Sequence, residues 1–315
     1  MTALVTGAAG FVGSHLCEAL LDDGDEVVGV DAFTDYYSRR RKEQNLAALR
    51  VRHRFVFIEA DLAEVAVVPL LAGVDRVFHL AGQPGVRASW GPDFAHYVRH
   101  NVVATQRLVE ACRDRPLHKL VYASSSSVYG DAESYPTPET LRPQPVSPYG
   151  VTKLAGEHLC EVYRKSFGIP VTSLRLFTVY GPRQRPDMAF SRLVRAALSG
   201  ERFEVYGDGE QTRDFTFVGD VVQAMRDAVR SPWCGVANVG GGSRASLNRV
   251  VDIVRDLCGE VRLTRRPSAT GDVRHTAADI SVATAAFGYT PRTSLSEGLA
   301  AMVASERSLQ KAMAS

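Results

Sequence analysis

The chain has 315 residues, a formal net charge of +2 and 23% charged residues, with 45% hydrophobic and 8% aromatic content. That length suits one large globular domain or two modest ones. The basic residues are dispersed, so composition leaves no electrostatic footprint for nucleic acid and calls for no membrane span.

Ala3–Thr6 reads as a short buried strand, and Thr6-Gly7-Ala8-Ala9-Gly10-Phe11-Val12-Gly13 as a tight turn into a helix over Phe11–Asp22, with apolar positions at Val12, Leu16, Ala19 and Leu20. Such glycines let the backbone approach a pyrophosphate, and the helix N-terminus offers N–H groups and partial positive charge. The alternative is a glycine turn that serves only packing. A second strand, Glu26–Asp31, ends in a carboxylate 18 residues past Gly13, near the roughly 20-residue offset of an acid that binds the adenosine ribose. Asp31 would repel a 2′-phosphate, so NAD is expected over NADP. Arg39, Arg40 and Arg41 follow and read as the solvated face of the next helix, although a basic run there could accommodate NADP.

Further strands are expected at Phe55–Glu59, Arg76–Leu80, Lys119–Ser124 and Val171–Phe177, separated by helices such as Phe94–Arg113 and Tyr149–Phe167. This alternation predicts an α/β fold with a doubly wound parallel sheet of Rossmann type, whose site lies beyond the carboxyl ends of the strands. Asp61-Leu62 and His79-Leu80-Ala81-Gly82 fall at such ends. Cys17, Cys112, Cys160, Cys234 and Cys258 are odd in number and are expected to be buried reduced thiols, and no spacing of Cys or His suggests a metal. His15, His79, His96, His100 and His118 are expected to be structural or surface residues. The chain opens on strand residues, from which a cytoplasmic location is expected.

Ser124-Ser125-Ser126-Ser127 closes the fifth strand, and Tyr149 and Lys153 follow at helical spacing. Positions four apart share a helix face, so the Lys ammonium can favour the phenolate of a Tyr whose free pKa is about 10. Pro145 and Pro148 should hold the preceding chain extended and start the helix near the Tyr. Taken alone, the Tyr and Lys could equally be a solvated helix face.

After Phe177 the alternation loosens. Gly181–Asp187 reads as a loop, Ala189–Ser199 and Val218–Arg230 as helices, Phe203–Tyr206 and Arg213–Phe217 as short strands, Gly240–Ser243 as a turn and Ser294–Ala312 as a final helix. Residues 1–177 are expected to form the nucleotide-binding domain. Residues 178–315 are expected to form mainly a smaller substrate-binding lobe, with some segments returning to the first.

The glycine turn, Asp31, the Ser cluster with Val128-Tyr129-Gly130, Tyr149 with Lys153, and the Arg175–Pro182 segment resemble the extended short-chain dehydrogenase/reductase family that acts on nucleotide sugars. Asp35-Tyr36-Tyr37, His79 to Arg87, Phe177 to Pro182 and Arg185-Pro-Asp-Met-Ala189 resemble its UDP-glucuronate 4-epimerase branch. The resemblance implies Tyr149, Lys153 and Ser125, with Ser126 and Ser127, as the catalytic group. It implies NAD held by Gly7, Gly10, Phe11, Val12, Gly13, Asp31, Asp61, Leu62, Leu80, Ala81, Gln83, Asn101, Tyr149 and Lys153. A UDP-sugar would meet Ser125, Ser126, Ser127, Thr178, Arg185, Arg87 and Arg213, and a homodimer is expected. The related 4,6-dehydratases carry Asp and Glu, and the decarboxylases a Glu, where this chain has Ser126 and Ser127. Simple epimerisation is therefore expected, by transient oxidation to a 4-keto sugar. Thr178 replaces the Asn usual in UDP-galactose epimerases, and Arg185 offers a fork for a sugar carboxylate, unless it pairs with Asp187 instead. A UDP-galactose epimerase, a decarboxylase and a non-catalytic NAD-sensing protein are the alternatives. Ala32, Phe33 and Ala104 depart from the branch without touching a reacting group.

Overall fold

In the computed structural model, residues 1–242, 244–267 and 273–314 are described. The central sheet is built from β1 (Thr2–Thr6), β2 (Glu26–Asp31), β3 (Phe55–Glu59), β4 (Arg76–His79), β5 (Lys119–Ser125), β6 (Val171–Leu176) and a seventh strand, Gly235–Val239. All pair in parallel, in the order Gly235–Val239, β6, β5, β4, β1, β2, β3. The order turns back on itself between β1 and β4, which opens a crevice at their carboxyl ends.

The apolar strands reflect burial on both faces. In β1, Ala3 and Val5 enter one core with Leu16 and Leu20 of α1 (Phe11–Asp22), Leu46 and Leu49 of α2 (Arg39–Arg50), and Met225 of the helix Val218–Arg230. Leu4 points the other way, into a core with Leu108 and Cys112 of Ala104–Cys112 and Cys160 of the helix Pro148–Phe167. A third core gathers Leu193, Val250, Val254, Leu299 and Val303 from the helices Ala189–Ser199, Leu247–Cys258 and Leu295–Ala314. No helix among the described residues is long and apolar enough to cross a membrane.

Several expectations are corrected. The helix expected over Phe94–Arg113 is interrupted: Phe94–Tyr97 leads into a π-helical turn, Val98–Val103, before Ala104–Cys112. Local hydrophobic period does not encode this turn, which aims the Asn101 amide at the loop after β4. The strand expected over Arg213–Phe217 divides into Thr212–Asp214, which pairs with Arg244–Ser246, and Thr216–Phe217, which pairs with Val179–Tyr180. Between the two pairings, the Asp214 carboxylate accepts from the backbone N–H groups of Gly241 and Ala278. Cys17, Cys112 and Cys160 are buried thiols, but Cys234 and Cys258 are only half-buried. Of the turn expected at Gly240–Ser243, Ser243 lies outside the described residues.

Candidate active site

Two glycines fix the shape of the first turn. Gly7 has φ +73°, and a Cβ on it would stand 2.9 Å from the Ala81 nitrogen; a Cβ on Gly13 would fall 2.1 Å from the Gly7 carbonyl oxygen. A side chain at either would close the cradle at the start of α1. Asp31, at the end of β2, accepts from the N–H groups of Ala9 at 3.1 Å and Phe33 at 2.9 Å. Burial raises its pKa, opposed by the Lys42 ammonium 3.9 Å away. Arg39 stacks 4.2 Å over the Phe33 ring and pairs with Glu59, so it faces solvent at the rim.

Beyond β4, His79 anchors the next wall. Thr6 Oγ1 accepts from the Leu80 and Ala81 nitrogens and lies 2.8 Å from His79 Nδ1, whose Nε2 is 2.9 Å from Thr105 Oγ1. Thr105 in turn donates to the Asn101 carbonyl. Burial lowers the imidazole pKa to about 3, so it is a neutral strut. The Asn101 amide accepts from the Gln83 nitrogen at 2.7 Å and donates to the Gln83 carbonyl and to Thr152 Oγ1. Asp61 accepts from the Ala63 N–H and from Arg99, which together outweigh burial and hold its carboxyl below the usual range.

The long helix starts as its prolines require. Pro148 takes the first helical position and the Ser147 hydroxyl caps the Gly150 N–H at 3.1 Å. Tyr149 is thereby fixed in the first turn, its ring edge-on to Tyr97 at 6.2 Å. Burial raises the Tyr149 pKa, and the Ser125 hydroxyl and the Arg185 charge draw it partly back. Arg185 is thus a cation near Tyr149 beyond the Lys153 expected from the sequence. The helix carries Lys153 deeper, its ammonium 4.6 Å from the Tyr122 ring centre. Burial pushes the Lys153 ammonium down to about 8, against the raising influence of the nearby Glu157 carboxylate.

One cavity of about 440 Å³ joins these parts. Its lining brings together Gly7, Gly10, Phe11, Val12, Gly13, Asp31, Asp61, Leu62, Leu80, Ala81, Gln83, Asn101, Ser125, Ser126, Ser127, Tyr149, Lys153, Thr178 and Arg185. Arg87 and Arg213 lie elsewhere: the Arg87 guanidinium stacks 4.6 Å over Tyr206, and Arg213 donates to the carbonyls of Thr212 and Arg274. The alternative for Arg185 is realised too, since its Nε and Nη2 each lie 3.0 Å from an oxygen of Asp187. Among the described residues no cluster of His, Cys, Asp and Glu could hold a metal.

The NAD dependent epimerase/dehydratase family matches residues 3–240. The chain belongs to this family. A Bacillus subtilis (strain 168) protein, YtcB, described as an uncharacterised UDP-glucose epimerase, is 47% identical over 303 residues, 95% of this chain and 96% of that protein. The crystal structure of UDP-glucuronic acid 4-epimerase from Bacillus cereus, in complex with UDP-glucuronic acid and NAD, superposes with a TM-score of 0.95 at 45% identity, covering 98% of this chain and 100% of that one. MoeE5, solved with NAD and either UDP-glucuronic acid or UDP-glucose, gives a TM-score of 0.88 at 44% identity, again over 98% and 100%. The glycine cradle, the Asp31 carboxylate and the wall held by Thr6 and Asn101 fit the dinucleotide on which this family depends.

Sequence reasoning missed several members of this epimerase/dehydratase site. Lys42 is buried beside Asp31, donating to the Thr34 carbonyl at 2.8 Å, and was hidden in an apparently solvated basic run. Thr6 and Thr105 read as ordinary strand and helix residues. Behind the Ser cluster, Glu157 accepts from Ser124 Oγ at 2.9 Å and from Arg175, which also donates to the Tyr129 hydroxyl. The spacing of Glu157 four residues after Lys153 was the available signal.

Proposed function

We propose that the chain is an NAD-dependent 4-epimerase that interconverts UDP-glucuronate and UDP-galacturonate. The observation that carries this reading is a single cavity holding Ser125 and Tyr149 together with Thr178 and the Arg185 cation. Gly7, Gly10, Phe11, Val12 and Gly13 would hold the pyrophosphate of NAD, Asp31 and Asp61-Leu62 its adenosine end, and Leu80, Ala81, Gln83, Asn101, Tyr149 and Lys153 its nicotinamide side. When bound, NAD would supply the hydride acceptor for carbon 4 and, in its reduced form, the hydride that returns to it.

Tyr149 removes the 4-hydroxyl proton with Ser125 in the hydrogen-bond path, and returns it after the 4-keto sugar has turned its other face. Lys153 keeps positive charge on the deep side of this pair. Ser126 and Ser127 supply hydroxyls and no carboxylic acid, which supports epimerisation over elimination or decarboxylation. Thr178 and Arg185 would hold the sugar carboxylate, and Arg87 and Arg213 the diphosphate end. In this reading residues 1–177, with returning segments, form the NAD-binding domain, and residues 178–315 mainly the nucleotide-sugar lobe, in a cytoplasmic homodimer.

Incubating the pure protein with UDP-glucuronate and identifying the products tests the proposal. UDP-galacturonate formed without net consumption of NAD is the expected result. YtcB's description and the MoeE5 complex with UDP-glucose favour a second reading, UDP-glucose as substrate. Faster conversion of UDP-glucose to UDP-galactose than of the uronate would install it.

A further inference from the structure

Arg185 is clamped from outside the cavity. Its Nε and Nη2 each donate to one oxygen of Asp187 at 3.0 Å, a fork-on-fork pair along one edge of the guanidinium. Arg185 is the more enclosed partner, with 18% of its side chain exposed against 38% for Asp187, and only Arg185 lines the cavity. Burial works against the cation, but Asp187 outweighs it and keeps the guanidinium pKa above its ordinary value. Tyr36 braces the pair: its hydroxyl donates to Asp187 Oδ2 at 3.4 Å, and its ring centre lies 5.7 Å from the Arg185 guanidinium carbon. A guanidinium has donors along two edges of one rigid plane. Fixing the Nε edge therefore fixes the direction of the Nη1 edge.

We propose that Asp187, braced by Tyr36, is the positioning residue that decides how Arg185 meets a sugar carboxylate, and so sets both uronate preference and the fate of the keto intermediate. The inference rests on the reading of Arg185 given above. In a 4-keto uronate the carbon 5–carbon 6 bond breaks readily when it lies parallel to the carbonyl π-system: its electron pair passes into the carbon 4 carbonyl as an enolate, carbon dioxide departs, and carbon 5 takes a proton from water. The product is a UDP-4-ketopentose. An Arg185 held in one direction keeps the carboxylate, and with it that bond, out of this alignment. A mere placeholder carboxylate, displaced by substrate, would instead compete with the uronate.

The test compares Asp187→Asn and Tyr36→Phe with the parent holoenzyme on UDP-glucuronate, scoring KM, kcat, keto- and pentose products, and NAD affinity. Asp187→Asn should raise KM on the order of tenfold, as expected when one charged contact is misdirected, and should release pentose while NAD affinity stays at the parent value. Tyr36→Phe, which keeps the ring, should move KM the same way by a few fold, and Asp187→Glu should recover most of the loss. An unchanged or lowered KM in Asp187→Asn, with no pentose, overturns the proposal; if that variant does not fold, Tyr36→Phe with parental KM and products overturns it. Arg185→Ala separates the two layers of argument. Should it also turn over UDP-glucuronate like the parent, the uronate reading has failed; should it be crippled while Asp187→Asn is not, only the positioning role is lost.

Discussion

Tyr149 sits where burial makes its hydroxyl a weaker acid than a free phenol, with Ser125 and Arg185 pulling in the opposite direction. A base in that state needs further positive charge before it can take a proton, which makes the proposed reaction wait for a complete site. Tyr149→Phe removes only the ionisable oxygen, so NAD binding should persist while turnover falls about 10²- to 10⁴-fold; single-turnover assays on the NAD-loaded variant decide this, and parental rates would take Tyr149 out of the base role. In the proposed reaction Lys153 would set the alkaline limit. Burial holds its ammonium at about 8, so the charge is present below that pH and is lost as pH rises through it. The profile of kcat/KM should therefore decline above about pH 8. Glu157 favours the charged form, and Glu157→Gln should shift that decline to lower pH; an unmoved alkaline limb in this variant would detach it from Lys153. A change of slope at both ends would instead point to disruption of the buried Arg175 pair.

The elements were legible to different depths, for physical reasons. β1, β2, β3 and the long helix showed in the sequence because burial on one or both faces repeats with a local period, and the prolines mark the helix start. The π-helical turn at Val98–Val103 left no such trace, since its cause is the fit of the Asn101 amide against the Gln83 backbone and Thr152. The strand Gly235–Val239 was likewise missed: only its last three residues are buried, and it is a strand because β6 offers an edge for it to pair with. Within the site, residues at strand ends were found and the pairing of Arg185 with Asp187 stood among the alternatives, being local in sequence, whereas Lys42 was passed over because its importance lies in the Asp31 carboxylate that folding brings to it. Ser147 allows a test at this scale. Ser147→Ala should lose about 1 kcal/mol by chemical denaturation, and fraying of the first turn should lower kcat more than it raises KM. Asp is an equally good cap, so Ser147→Asp should restore both; equal kcat in all three proteins would mean that the cap does not control Tyr149.

At the level of the whole molecule, the second half of the chain is woven into the first. Gly235–Val239 completes the central sheet, and Val221, Met225 and Val229 pack in the same core as α1. Arg183 pairs with Glu18 of α1 at 2.6 Å, Arg41 of α2 with Glu306 of the final helix at 3.2 Å, and Asp220 accepts from the Arg292 and Thr293 nitrogens. A second half tied into the first at so many points should not unfold by itself, so calorimetry should show one cooperative transition. NAD then acts on the stability of the entire chain. At one hundred times its Kd a ligand adds about 2.7 kcal/mol, which for a protein of this size raises the melting temperature on the order of 5 °C. Tyr149→Phe should keep that shift, since the phenol oxygen is one contact among many. Asp31→Ala should lose most of it at the same NAD concentration, because the carboxylate that would hold the ribose hydroxyls is gone, and its response to NADP should approach its response to NAD. Two separate transitions, only one of which moves with NAD, would show that the interleaved segments do not couple the two halves; a parental NAD shift in Asp31→Ala would remove that residue from the proposed cofactor site.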